Sequence, residues 1–152
     1  MATPGQLVRT MASVLGIPEP TITQYDRNLA EAGLRQIRGR GTSAAEVSAE
    51  DAANLLVAIL GSPAVGASIR MAADTSKMYG SLVVKKNFSD VARFAEHGLT
   101  TLSKLPRRHS FKDALVSLID GASRGESPYI IDRKDVITEI EMMFGEIGRA
   151  HV

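Results

Sequence analysis

The sequence predicts an α+β chain that is mainly helical and carries a short β segment towards its C-terminus. Apolar residues recur at i, i+3 and i+4 over most of the length, in blocks that glycine ends. With no Trp, three Tyr and four Phe, the core has to be built from Leu, Ile, Val, Ala and Met, which suits helices packed at short distance. Only near the end does the apolar period change from helical to alternating.

Taken in order, Leu7, Met11, Val14 and Leu15 share one face of a helix over 6–15, and Gly16 stops it. A second helix opens between Pro18 and Thr21, where proline forfeits no needed donor, and carries Ile22, Tyr25, Leu29 and Ala32 before Gly33 ends it. Leu34 follows as an apolar anchor. Residues 35–48 are too glycine-rich for a helix and suit a small extended ribbon or turn. Ser48 to Asp51 reads as a capping box with Asp in place of Glu, opening an apolar helix through Leu60 that Gly61 ends. Another helix is expected from Ser62 to about Tyr79. Leu82 to Val84 reads as a short strand or linker, and 80–88 is the best internal boundary. Phe88 to Leu105 reads as helical with a break at Gly98. Ser110 to Asp113 is again box-like, and Phe111, Ala114, Leu115, Leu118 and Ile119 give the cleanest amphipathic helix in the chain. After a loop at 121–128, Tyr129 to Ile131 and Val136 to Phe144 read as strands, because Val136, Thr138, Ile140, Met142 and Phe144 alternate with Glu139 and Glu141; a helix is the alternative there.

Composition narrows the function. Of 152 residues, 18 are Lys or Arg and 17 Asp or Glu, so nucleic-acid binding has to rest on where the charges sit and not on their total. The absence of Cys removes disulfides, thiol nucleophiles and thiolate metal sites together, and the three His stand far apart without ligand spacing. No metal site and no cofactor is expected. The longest apolar run, Ala52 to Gly61, is interrupted by Asn54 and is about half of the roughly 20 residues a bilayer span requires. The N-terminus lacks the charged and apolar regions of a secretory leader, so the cytoplasm is the expected location and no membrane the expected partner.

The last six residues, Ile147 to Val152, can be encoded by ATC GGA AGA GCA CAC GTC, the string of a widely used short-read sequencing adapter that continues with the stop codon TGA. The expectation is that 147–152 are adapter read from environmental DNA and that the natural chain continues beyond about Glu146. Arg149 and His151 therefore receive no function. The organisation expected is a first domain over 1–61, a helical and β region over 62–146, and the adapter tail.

The informative constellation lies in residues 12–34, where Ala12, Gly16, Ile17, Thr21, Ile22, Tyr25, Leu29, Gly33 and Leu34 fall at fixed spacing. Small Ala12 permits close helix crossing, Gly16 allows a tight turn and Ile17 plugs the corner. Ile22, Tyr25 and Leu29 hold the second helix on the core, which leaves Glu19, Thr21, Thr23, Gln24, Arg27 and Asn28 outside. This pattern resembles a bacterial helix-turn-helix. Arg35, Arg38 and Arg40, set among the glycines of Ile37 to Gly41, resemble the wing of winged-helix regulators. Residues 1–41 carry a surplus of two positive charges, whereas 42–61 hold only Glu46, Glu50 and Asp51.

The resemblance covers about residues 5–60 and is also similar to prophage-associated bacterial proteins. It implies a winged-helix-like N-terminal domain and a bacterial or phage transcriptional regulator whose partner is double-stranded DNA. In that picture Thr21, Thr23, Gln24, Arg27 and Asn28 reach base edges, and Arg35, Arg38 and Arg40 hold phosphate. A homodimer is expected, because one such module makes few phosphate contacts, and 62–146 would mediate pairing or bind a protein. The alternative is a module of the same shape that binds protein, such as a phage packaging, adaptor or inhibitor component.

An enzyme is not expected. His97 and His109 have carboxylates and Ser110 nearby in sequence but no nucleophile elbow, and no phosphate-loop motif occurs. Arg107 to His109 and Lys85–Lys86 read chiefly as solvated charge, with phosphate contact as the sharper reading of the first cluster. Glu139 and Glu141 read as solubilising an exposed strand, and Met71, Met142 and Met143 as core filler.

Overall fold

The computed structural model describes residues 2–37, 46–62, 67–85, 95–96 and 98–126. The expected wing with Arg38 and Arg40, the start of the helix at 88, His97, the strands at 129–144 and the six-residue tail lie outside them. Within the described residues the fold is mainly helical, with one two-stranded antiparallel pairing. In chain order the elements are α1 (Pro4–Leu15), α2 (Glu19–Glu31), α3 (Ala49–Gly61), α4 (Ala67–Arg70), α5 (Ala72–Gly80), β1 (Val83–Lys85), α6 (Thr100–Ser103), β2 (Arg108–Ser110) and α7 (Phe111–Ser123).

Three helices start on reciprocal caps. Ser48 accepts from the Asp51 N–H while the Asp51 carboxylate takes the Ser48 N–H, and Ser110 and Asp113 repeat the arrangement at α7. Both follow from the sequence. Thr3 and Gln6 form a third box that starts α1 two residues earlier than its apolar stripe suggests. Left-handed glycines close the ends. Gly33, at φ 74°, lets the Gly33 N–H reach the Ala30 carbonyl and the Leu34 N–H reach Leu29, the paired bonds of a Schellman turn. Gly125 does the same after α7, with Glu126 bonding back to Gly121.

The main core cluster joins Val8, Ile22, Tyr25, Leu29, Leu55, Ala58, Ile59, Ala72 and Ala73. Helix α3 lies at its centre: Asp51 to Leu55 and Val57 to Ile59 are all buried, and the helix packs on α2, α5 and α7. Its alanines at 52, 53 and 58 let those neighbours approach. In α1 the stripe is turned from the expected one, since Val8 is buried and Val14 is 76% exposed. In α2 the buried set is Ile22, Tyr25, Asp26 and Leu29, and Ala32 is exposed in the closing turn.

Three further features depend on tertiary packing. The helix expected from Ser62 to Tyr79 is divided at Met71 into α4 and α5. The residues before α7 form strand β2, which pairs with β1 and brings together segments more than twenty residues apart in sequence. Gly61 is the last residue of α3, and space dictates its identity: a Cβ there would lie 2.7 Å from Thr75 Cγ2 and 2.8 Å from Tyr79 Cδ2. Gly61→Ala is therefore expected to lower stability by about 1–3 kcal/mol through overpacking, despite the better helix propensity of alanine. A urea midpoint at or above that of the parent would contradict it.

Glu126 ties the end of α7 to the start of α6. Its carboxylate accepts from the Thr100 hydroxyl (2.6 Å), the Thr101 hydroxyl (2.6 Å) and the Thr101 N–H (2.9 Å). Buried Gly121 makes room, since a Cβ at that position would meet Glu126 Oε2 at 2.8 Å. The Thr100 and Thr101 donors hold the Glu126 carboxyl down from 4.5 to about 2. A depressed carboxyl stabilises the fold fully above its unfolded value, and that contribution is lost as pH falls from 4.5 towards 2. Glu126→Gln is expected to flatten the decline in the urea midpoint across that window, and an unchanged decline would exclude this role.

Candidate nucleic-acid interface

The α1–α2 pair is joined by a turn that Gly16 makes possible at φ 65°, with the Gly16 and Ile17 N–H groups both bonding the Ala12 carbonyl. Ile17 is half-buried and packs on the core, as the corner position requires. Pro18 caps α2 and its carbonyl takes the Thr21 N–H (3.0 Å).

With Ile22, Tyr25, Asp26 and Leu29 turned inward, helical geometry centres the outer side of α2 on Gln24 and Arg27. Both are exposed, as is Thr23, whose hydroxyl donates to the Glu19 carbonyl (2.9 Å). Thr21 and Asn28 flank this face and are half-buried. Glu31 lies on the same outer side, one turn beyond Arg27, and is exposed.

Arg35 is placed differently from the expected phosphate contact. Its Nε lies 2.6 Å from Asp26 Oδ1, and the two side chains are only 16% and 10% exposed. At this separation the guanidinium is the direct counter-charge of the carboxylate. Burial pushes the Asp26 carboxyl up, the Arg35 guanidinium pulls it down, and nearby Asp51 adds to the upward push.

The rest of this polar cluster comes from the first turns of α3. Asp51 Oδ1 accepts the Gln36 N–H (3.2 Å) while Oδ2 accepts from Ser48 N and Oγ, so one carboxylate both caps α3 and holds the chain leaving α2. Asn54 Nδ2 donates to the Leu34 carbonyl (2.9 Å), and the Asn54 carbonyl accepts from buried Ser76 (3.0 Å). Residues 34–36, where the expected wing begins, are thereby fixed between α2 and α3.

The sequence pattern alone gives no role to Asp26, to Asp51 beyond its cap, or to Asn54. Asp26 did carry a signal, because it falls four residues after Ile22 and three before Leu29, in the middle of the apolar stripe. Tyr25 is wholly buried, and its phenol is pushed up by burial, with the neighbouring Ser62 hydroxyl acting against that shift. Neither hydroxyl completes a well-aligned hydrogen bond among the described residues.

The described residues contain no group of three or more His, Asp or Glu placed to hold a metal ion. His109 sits on β2, where its Nδ1 donates to the Pro106 carbonyl (2.8 Å). No described helix is long and apolar enough to cross a membrane. Comparison with family models, with curated proteins and with solved structures finds no match for this chain.

The Asp26–Arg35 pair carries a stability consequence. Arg35→Ala leaves a buried carboxylate without its counter-charge and is expected to cost about 2–3 kcal/mol, towards the low side for a buried pair because both groups retain some exposure. The double change Asp26→Asn/Arg35→Leu should recover most of it. Because Asp26 is raised in the folded state, the deficit of Arg35→Ala should shrink as pH falls, when native Asp26 takes up a proton the unfolded chain has not yet bound. Urea titrations at pH 7 and pH 5 measure both effects; a deficit that grows at pH 5 would contradict the assignment.

Proposed function

We propose that this chain is a bacterial or phage DNA-binding regulator that presents the outer face of α2 to the major groove, within a winged helix-turn-helix. The observation that carries this reading is the division of α2, which buries Ile22, Tyr25 and Leu29 and exposes Thr23, Gln24 and Arg27 behind a glycine turn. Gln and Arg are the side chains that read adenine and guanine edges by paired hydrogen bonds, and Thr and Asn can contact bases or phosphates. Arg27 takes part in none of the ion pairs among the described residues. Arg35 serves here to fix the segment after α2, and phosphate contact falls to Arg38 and Arg40. Two-fold pairing through residues beyond 62 would double the contacts, and such a protein would work in the cytoplasm.

A second reading, a protein-interaction module of the same shape, is favoured by one observation. With Arg35 neutralised by Asp26, and Glu19 and Glu31 exposed on the helix that carries Arg27, the exposed side of α2 has no positive surplus. Salt separates the two. Duplex binding should weaken steeply as salt rises, with each neutralised phosphate contributing about tenfold in affinity for every tenfold rise in salt. Fluorescence anisotropy on a random-sequence duplex is expected to show this dependence, with Arg38→Ala/Arg40→Ala reducing the slope by about two and Gln24→Ala/Arg27→Ala weakening a selected site about tenfold. Absence of duplex binding at low salt would transfer the assignment to a protein partner.

A further inference from the structure

The antiparallel register of β1 and β2 sets Val83 opposite Ser110, Val84 opposite His109 and Lys85 opposite Arg108. Because side chains alternate along a strand, Val83, Lys85, Arg108 and Ser110 share one face and Val84 and His109 the other. The second face is the inner one: Val84 and His109 are half-buried, and His109 is bonded to the Pro106 carbonyl. On the first face Lys85 and Arg108 are both exposed, and directly opposed side chains on paired strands stand about 5 Å apart at Cβ.

Like charges placed directly opposite each other destabilise a strand pair. Neither Lys85 nor Arg108 forms an ion pair with a carboxylate among the described residues. The acid nearest in sequence to Arg108, Asp113, is turned onto the Ser110 N–H (3.0 Å) as part of the α7 cap. The stretch from Lys104 to Lys112 holds four Lys or Arg residues and no acidic one, and Lys112 at its end pairs with Glu50 at 2.8 Å. An exposed pair of cations held in fixed register, with no counter-charge among the described residues, is suited to an external anion. A narrow two-stranded ribbon is also a shape that reaches the backbone and grooves of a duplex.

We propose that the β1–β2 ribbon is a second phosphate-contacting surface for duplex DNA, with Lys85 and Arg108 as the contacts. The inference rests on the DNA-binding reading but on none of the α2 residues. It places nucleic-acid contact in both the N-terminal helices and the later part of the chain. Ribbon contacts of this kind go to phosphate, so they add affinity and orientation without adding sequence preference.

The test is anisotropy of the full chain with a labelled random-sequence duplex and with a selected site, each across a salt series, comparing Lys85→Gln/Arg108→Gln with Gln24→Ala/Arg27→Ala. The ribbon variant is expected to show a dependence of log affinity on log salt that is shallower by about two, and equal weakening on every duplex. Its thermal midpoint at low salt should match or exceed that of the parent, because a repulsion has been removed. The charge-preserving Lys85→Arg/Arg108→Lys variant should keep the parental slope. An unchanged slope in the ribbon variant, with weakening of the selected site in the α2 variant, overturns this proposal and leaves the α2 reading standing. The reverse result supports the ribbon and overturns the α2 reading, and no binding by the parent chain at low salt overturns both.

Discussion

Helix α3 has almost no side free for water, and the rest of the described fold is arranged by what can be buried against it. Leu55, Ala58 and Ile59 meet the core shared with α1, α2 and α5, while the same helix packs on α7. Burial of this kind requires small residues at the close approaches, which Ala52, Ala53 and Ala58 provide, and a glycine at the end, where Thr75 and Tyr79 lie over Gly61. A helix this enclosed can carry polar groups only if each has a partner. Asp51 and Asn54 meet that requirement by bonding the backbone of residues 34–36 and the Ser48 cap.

That requirement links stability to the proposed recognition face. The segment following α2 is bound on one side by the first turns of α3 and on the other by the Arg35–Asp26 pair, so the exit from the proposed recognition helix has a fixed direction. Burying an ion pair costs desolvation that its Coulombic attraction only partly offsets, and the raised Asp26 carboxyl is the visible sign of that imbalance. Such a pair contributes little net stability and much geometric definition. For the proposed binding this is a trade: one of the arginines near α2 is committed to orientation and its charge is withdrawn from the surface.

Among the described residues, α2 is therefore not the basic face. The exposed side of α2 is polar and has no positive surplus, with Arg27 set against Glu19 and Glu31, while the later β ribbon holds two cations opposed in register. A duplex contacted at both places would be read at α2 and held electrostatically elsewhere, the usual separation of base contacts from phosphate contacts.

By itself the sequence determined the local structure that is written in short range. The capping boxes at Ser48 and Ser110, the stops at Gly16 and Gly33 and the stripe of Ile22, Tyr25 and Leu29 all depend on residues within one or two turns of each other. Tertiary structure decided what depends on distant partners: that Val8 and not Val14 faces the core, that Gly61 is required by α5 crossing over it, that Asp26 is buried and consumes Arg35, and that Arg108 stands opposite Lys85. Periodicity reports which face of an element is apolar, but an ion pair between α2 and the following segment, or a register between strands more than twenty residues apart, is fixed only when packing brings them together. Arg35 illustrates the limit: a surface cation and the counter-charge of a buried carboxylate have the same sequence, and only the fold distinguishes them.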